Sequence, residues 1–299
     1  MRDSCPVCRS MEYSIAGIPR KNTIVSEFID EEYYVVKCNR CDVYYISPRI
    51  QFTDAQWEKL YNSEYFSLQS KWLIRKREKE LQQRFNTAEA LFKNNSDIKF
   101  LDVGSGEGKT LIAGRKRDWE VTGIDIVDNR IEEAKVSPIN FIQDKFTEYH
   151  FPENYFDFIY LDSVLEHVLN PLGYLEKIKR ILKHSGIVYI GVPNEDSLFN
   201  DIKRLAYKLS GRKELSEKLK PFVSPYHIVG FNSRSLKNII AKTGLKIIYF
   251  RNFGRKLQFL GSPVSSRGFW IDLTFLFPVE IIGNIINRDV YFETYVTKK

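Results

Sequence analysis

The residues predict an α/β protein made of a small N-terminal metal module and an open, mostly parallel sheet with crossover helices. Three observations carry this. All four cysteines lie within the first 41 residues as two CxxC pairs. Strand-like and helix-like segments alternate from Ile98 onward, and an apolar strand runs into a glycine-rich turn at 104–108 that opens a helix. With 299 residues the chain has material for about two domains. A composition of 43% hydrophobic and 28% charged residues, with 16 Gly and 11 Pro, excludes a disordered or fibrous chain.

The net charge of +7 is mild for this length and unlike that of a protein that coats nucleic acid. It is uneven: residues 71–84 hold six Lys/Arg against two Glu, and residues 202–220 hold seven against two. Such runs are ordinarily solvated helix faces, and they also suit an anionic partner such as a nucleotide-sugar, a phosphorylated lipid or RNA. The N-terminus MRDSCPVC has no apolar core after its basic residue, so no secretory signal and a cytoplasmic location are expected. The most apolar stretch, 269–286, is interrupted by Asp272, Pro278 and Glu280. It falls short of the roughly 20 clean residues of a spanning helix, which leaves peripheral membrane contact through Phe269, Trp270, Phe275 and Phe277 open.

Taken in order, residues 1–53 read as a zinc ribbon. Cys5-Pro6-Val7-Cys8 and Cys38-Asn39-Arg40-Cys41 present two thiolate pairs to one tetrahedral Zn²⁺, with free core cysteines or a redox pair as the bland alternatives. Four thiolates leave no open position, so the zinc is structural. The 29 residues between the pairs require a strand pair, and Tyr34, Val36 and Cys38 alternate as a returning strand would. Residues 54–96 read as a helical connector or lid. Asp54 caps a first helix with Trp57, Leu60 and Tyr61 on one side, and a second helix over 68–93 carries Leu73, Leu81, Phe85, Ala88 and Phe92.

Residues 97–299 form the main domain, with a basic insert at 195–230 and an aromatic one at 254–288. In Leu101-Asp102-Val103-Gly104-Ser105-Gly106-Glu107-Gly108, alternate glycines let the backbone approach a ligand. Asp125 closes the next strand 19 residues past Gly106, near the spacing of a ribose-binding carboxylate. A phosphate-binding loop would need glycine where Val103 stands. A dinucleotide fold would have its third glycine one residue later, and Asp102 and Glu107 would repel a pyrophosphate. A cationic ligand suits the turn better. Pro171 starts a helix striped by Leu172, Leu175, Ile178 and Leu182, Gly186 turns the chain into a strand from Ile187 to Val192, and Ser233 and Gly244 bracket a further helix.

These motifs together resemble class I S-adenosylmethionine-dependent methyltransferases over most of the chain, which implies a Rossmann-like seven-stranded sheet. By that resemblance, Asp102, Gly104, Ser105, Gly106 and Gly108 cradle the amino-acid end of the cofactor. Asp125 with Ile126 holds the ribose, Asp144 with Lys145 meets the adenine, and Asp162 ends the fourth strand ahead of the Leu165-Glu166-His167 motif. The CxxC ribbon ending in Tyr44-Tyr45-Ile46-Ser47-Pro48-Arg49, together with Pro225-Tyr226-His227, is similar to one bacterial and archaeal branch whose members often tailor polysaccharides and natural products.

The expected function is methyl transfer to a small-molecule or glycan acceptor, at a hydroxyl of a sugar or nucleotide-sugar. In-line displacement mainly requires positioning, and a hydroxyl acceptor also needs a base. His227 is the first candidate, with Tyr226 beside it and His167 as the second, while His150 and His184 read as surface residues. A related quinone-methyltransferase group has an acidic residue, associated with metal, where Ser163 stands here, so no catalytic metal is expected. The rivals are an RNA methyltransferase gripping phosphates through the ribbon and basic segments, and a non-catalytic scaffold. The lack of an Asn/Asp-Pro-Pro-aromatic motif at Leu161-Asp162-Ser163-Val164 argues against base amino groups. A homodimer is a further expected association.

Overall fold

The computed structural model describes residues 3–21, 25, 27, 29, 31–50, 52–53, 55–56, 71–92, 97–136, 138–212, 214–216, 218–223, 225–254 and 262–299. The first connector helix expected around Asp54, Trp57, Leu60 and Tyr61 lies outside them.

The N-terminal residues make an antiparallel sheet of β1 (Tyr13–Gly17), β2 (Tyr34–Cys38) and β3 (Tyr44–Ser47). The strand pair expected between the CxxC knuckles is β1 and β2, paired Tyr13 to Cys38. The larger sheet uses β4 (Lys99–Val103), β5 (Glu120–Asp125), β6 (Asn140–Gln143), β7 (Phe156–Asp162) and β8 (Leu182–Pro193). The two-residue β9 (Val229–Gly230) joins the N-terminal sheet beside β3, and β10 (Leu245–Phe253) and β11 (Tyr291–Lys298) complete the larger one. Its order is β10-β11-β8-β7-β4-β5-β6, with β11 antiparallel between β8 and β10. From β4 the chain steps outward to β5 and β6, then returns to β7 on the other side. The carboxyl ends of β4 and β7 therefore form the crevice where open α/β sheets take ligands.

Helix α1 (Lys71–Leu91) lies on one face, its Phe85 fully buried and stacked 5.1 Å from Trp119, in an aromatic cluster with Phe100, Phe158 and Tyr160. Burying one such ring contributes about 2–3 kcal/mol, so this part of the connector is core, not cover. The crossovers are α2 (Lys109–Arg115), α3 (Glu132–Val136) and α4 (Pro171–Ile181). Asn170 caps α4 by accepting from the Gly173 amide at 3.1 Å, with Pro171 in the first turn. Helix α5 (Leu198–Leu209) follows β8, and α6 (Ser233–Lys242) follows β9. The cap of α6 is Asn232, which forms a reciprocal box with Ser235; Gly244, at φ 73°, closes its far end.

Two local features refine the sequence reading. β8 is extended from Leu182, but its pairing with β7 jumps from Phe156–Leu182 to Phe158–Ile187, so the chain bulges over 183–186 and regular register begins at Ile187, just past Gly186. In the aromatic insert, Pro278 interrupts the apolar run in the sequence, yet the residues around it form one continuous helix. Here α7 (Arg267–Ile271), a π turn over Asp272–Leu276 and α8 (Phe277–Ile285) follow one another. Pro278 sits in the first turn of α8, and widening of the preceding turn accommodates its missing amide donor.

The ribbon and the basic insert share one core. Cys5, Val36 and Tyr45 pack in the same buried cluster as Phe222, Val229 and Leu236, and Ile18 bridges to Leu215. Tyr44 donates to Asp196 at 2.6 Å, and Lys218, only 5% exposed, reaches Asp196 at 3.2 Å and Asp201 at 3.3 Å. Part of the insert's positive charge is thus spent on internal ion pairs.

Candidate active site

The four cysteine sulfurs lie within 4.8 Å of one another, with Cys5 to Cys41 at 3.5 Å and Cys8 to Cys38 at 3.4 Å. A tetrahedral zinc with bonds of about 2.3 Å places sulfurs about 3.8 Å apart, so these residues fit the ion. The hydrogen bond with Cys41 pushes Cys5 down to about 5, which favours the thiolate.

The glycine turn stands at the carboxyl end of β4. Gly104 and Gly108 have φ of 74° and 75°, a region closed to most side chains, and a Cβ on Gly104 would meet Val164 at 3.0 Å. The Gly106 amide donates to the Asp125 carboxylate at 2.8 Å, fixing the turn to the end of β5. Burial raises Asp125 and pushes Asp102 up to about 7. Asp102 Oδ2 and Ser105 Oγ are buried without hydrogen-bond partners among the described residues. Such orphaned atoms fit a ligand that brings donors and positive charge, as the amino-acid end of S-adenosylmethionine does.

The other predicted residues line the same crevice or flank it. Ile126 is exposed beside Asp125, and the Asp144 amide donates to the Asp125 carbonyl at 3.0 Å, which draws the ends of β5 and β6 together. Lys145 is exposed and pairs with Glu148 at 3.8 Å. Asp162 is held by the chain itself: Arg84 donates to its Oδ2 at 2.6 Å and Tyr291 to its Oδ1 at 2.8 Å. Arg84 also reaches Glu293 at 2.6 Å and Tyr160 at 3.0 Å, and the neighbouring carboxylates outweigh its burial to hold it charged. Arg84 has no place among the sequence-predicted site residues, although a cation next to Phe85 on an otherwise apolar helix side was a signal.

Beside the glycine turn, the 3₁₀ turn Leu165–His167 and the loop before β9 bring Glu166, His167 and His227 together, their ligand atoms within 4.8 Å of one another. His227 Nε2 stands 3.9 Å from Glu166 Oε1, and the two imidazole rings meet edge to face at 5.1 Å. His167 Nδ1 lies 3.3 Å from the carbonyl of Tyr226, a residue with the uncommon φ of 62°. Burial pushes His167 down to about 4 and His227 well below the usual range, so both are neutral at neutral pH. Burial drives Glu166, 1% exposed, well above the carboxylate range, and neither of its oxygens has a hydrogen bond among the described residues. Imidazoles that burial keeps neutral, beside a carboxyl that burial pushes toward its acid form, offer a nitrogen that can accept a proton. His150 and His184 are exposed and remote from it in sequence and role.

Residues 73–249 match the model of a family described as a methyltransferase domain. Two uncharacterized proteins of Methanocaldococcus jannaschii are similar to this chain. One is 35% identical over 117 residues, 38% of this chain and 50% of its own; the other is 30% identical over 122 residues, 40% and 60%. The chain thus spans about half the length of the curated relatives it matches. Among solved structures, a Pyrococcus horikoshii protein at 16% identity superposes with a TM-score of 0.50, covering 83% of this chain and 100% of its own. A SAM-dependent methyltransferase from Archaeoglobus fulgidus, at 20% identity and a TM-score of 0.48, covers 74% and 94%.

Proposed function

Since the chain belongs to the methyltransferase-domain family, we propose that it transfers the methyl group of S-adenosylmethionine to a hydroxyl of a small-molecule or glycan acceptor. The observation that carries the hydroxyl reading is the buried Glu166–His227 pair, 3.9 Å apart, next to the glycine turn.

The cofactor supplies a methyl group on a sulfonium, electrophilic enough for direct displacement. The chain's own residues bind, orient and accept a proton. The backbone of Gly104–Gly108 and the carboxyls of Asp102 and Asp125 hold the cofactor. Neutral His227 takes the acceptor's proton as the oxygen attacks, so that the oxygen gains the bond to the methyl carbon and the carbon–sulfur pair leaves with sulfur, and the Glu166 carboxyl, 3.9 Å from Nε2, orients the ring. His167, fixed by the Tyr226 carbonyl, sets the ring orientation of His227. Cys5, Cys8, Cys38 and Cys41 hold a structural zinc that stabilises the sheet on which the His227 loop rests.

Calorimetry of the zinc-loaded protein with S-adenosylmethionine, ATP and NAD tests the cofactor, with selective binding of the first expected. A screen of nucleotide-sugars and glycans with radiolabelled cofactor tests the acceptor. His227→Ala is expected to lower turnover by roughly 10²-fold or more while cofactor affinity is unchanged. Methyl incorporation into RNA instead of sugars would sink the glycan reading, and full activity of His227→Ala would remove the base.

A further inference from the structure

The side of the molecule above the carboxyl ends of the sheet carries a large unpartnered apolar surface. Helix α5 has no buried residue, and its Leu205 and Leu209, one helical turn apart, are 57% and 80% exposed. Helix α8 packs on α5 and has Val279 and Gly283 buried, while Ile282 and Ile285 on α8 and Trp270 and Phe275 ahead of it remain outside, Ile285 at 74%. Surfaces of this kind on a folded chain mark an interaction site.

The segment Arg267–Ile285 is long and apolar enough, by length and composition, to cross a membrane. Its anchoring argues that it lies along a surface instead. The flanking strands pair with each other at its base, Phe253 with Tyr291, so the chain leaves and rejoins the sheet at one point. The far end of α8 is tied down as well: Arg288 donates to the Gly283 carbonyl at 2.6 Å, Asn284 to Asp289 at 3.0 Å, and Arg288 reaches the Asp196 carbonyl at 2.9 Å. A helix fixed to the domain at its end and resting on α5 presents a side, not a tip.

Charge identifies the occupant. Arg204, Lys208 and Arg212 recur every four residues along and just past α5, in the row next to Leu205 and Leu209, and all three are exposed, as is Arg267 at the start of α7. Apolar side chains flanked by exposed cations are the composition of an interfacial helix on an anionic bilayer. Tyr291, at the base of the segment, pairs with Pro193 at the carboxyl end of β8, so this surface rises from the ligand side of the sheet.

We propose that α5 and the α7–α8 helix form a docking face for an anionic phospholipid bilayer, lying in the headgroup plane with the mouth of the catalytic crevice beside it. The face holds whether the acceptor is soluble or carried by lipid.

The test is flotation of the full-length, zinc-loaded protein with vesicles of phosphatidylcholine alone and of equal parts phosphatidylcholine and phosphatidylglycerol. Binding to the anionic vesicles at least tenfold tighter than to the neutral ones is expected, weakened by salt. Phe275→Asp with Ile282→Asp should abolish it, and Arg204→Glu with Lys208→Glu should remove the preference for phosphatidylglycerol. Unchanged thermal unfolding and S-adenosylmethionine affinity establish that the variants fold. The proposal is overturned by failure to float with either vesicle, by equal binding of the Phe275→Asp/Ile282→Asp variant, or by sedimentation showing that this variant only converts a dimer to a monomer, since a second copy would then cover the face.

Discussion

Tyr45, four residues past the last cysteine of the ribbon, pairs in the sheet with Val229, two residues past His227. The metal module is therefore the wall against which the His227 loop is built. Loss of zinc is expected to loosen that wall without touching the cofactor cradle between β4 and β5. Elemental analysis should give one zinc per chain. Chelation or Cys41→Ser should lower the melting temperature and abolish turnover while S-adenosylmethionine still binds; a zinc-free protein with full turnover would disconnect the two.

Burial pushes Glu166 toward its neutral form, so Gln is its nearest isostere and should leave folding nearly unchanged. Gln keeps the size of the side chain but places no carboxyl beside His227 Nε2 to orient the ring. Turnover of Glu166→Gln should consequently fall toward the level of His227→Ala, with cofactor affinity retained in calorimetry. Wild-type turnover in Glu166→Gln would reduce Glu166 to a structural residue.

Asp125 accepts from the Gly106 amide at 2.8 Å, and it is the carboxylate proposed to hold the ribose. Its replacement by Ala removes charge-assisted hydrogen bonds worth about 1.5–3 kcal/mol each, so affinity for S-adenosylmethionine should drop roughly 10- to 100-fold. Unchanged affinity in Asp125→Ala would misplace the ribose site.

Much of this was legible because the signals are local. Two CxxC pairs, glycines at alternate positions and an acid at the end of the next strand each report on a few consecutive residues, and Tyr34 to Cys38 alternates as a strand must. The pairing of β3 with the two-residue β9 has no periodicity to read, since its register comes entirely from the shared core around Phe222 and Val229. Glu166 was visible as a residue but not as a buried acid, because the loop carrying His227, far away in sequence, packs over it. Pro278 interrupts the apolar run in the sequence, yet a π turn before it lets one helix continue through it, which no local pattern announces.

Among the described residues, Arg84 is the single cation shared by Asp162 and Glu293 at the rim of the crevice, with its side chain 11% exposed. Removing one partner of a buried charge network costs about 3–5 kcal/mol, because here Asp162 loses its cation and Glu293 keeps only the exposed Arg251 at 3.7 Å. Arg84→Met should show this loss in urea unfolding, and Arg84→Lys should recover only part of it, lacking the fork that meets both acids. A stability within about 0.5 kcal/mol of wild type would mean the network contributes nothing.

The pH dependence of stability separates His167 from the buried acids by sign. Burial pushes His167 from 6.5 to about 4 in the fold, so between those values the unfolded chain binds a proton that the folded chain does not. Its contribution therefore falls as pH drops, by about 2 kcal/mol between pH 7 and pH 5. Asp102 and Glu195, both pushed up to about 7 by burial, act in the opposite direction over the same window, because the fold keeps protons that the unfolded chain releases. The wild-type curve mixes these slopes, and comparison with His167→Gln isolates one of them. In urea unfolding, the stability difference between wild type and variant should shift by about 2 kcal/mol, in the variant's favour, from pH 7 to pH 5. A difference that does not move with pH would mean that His167 accepts a proton in the fold as readily as in water, and the neutral imidazole cluster around His227 would lose its basis.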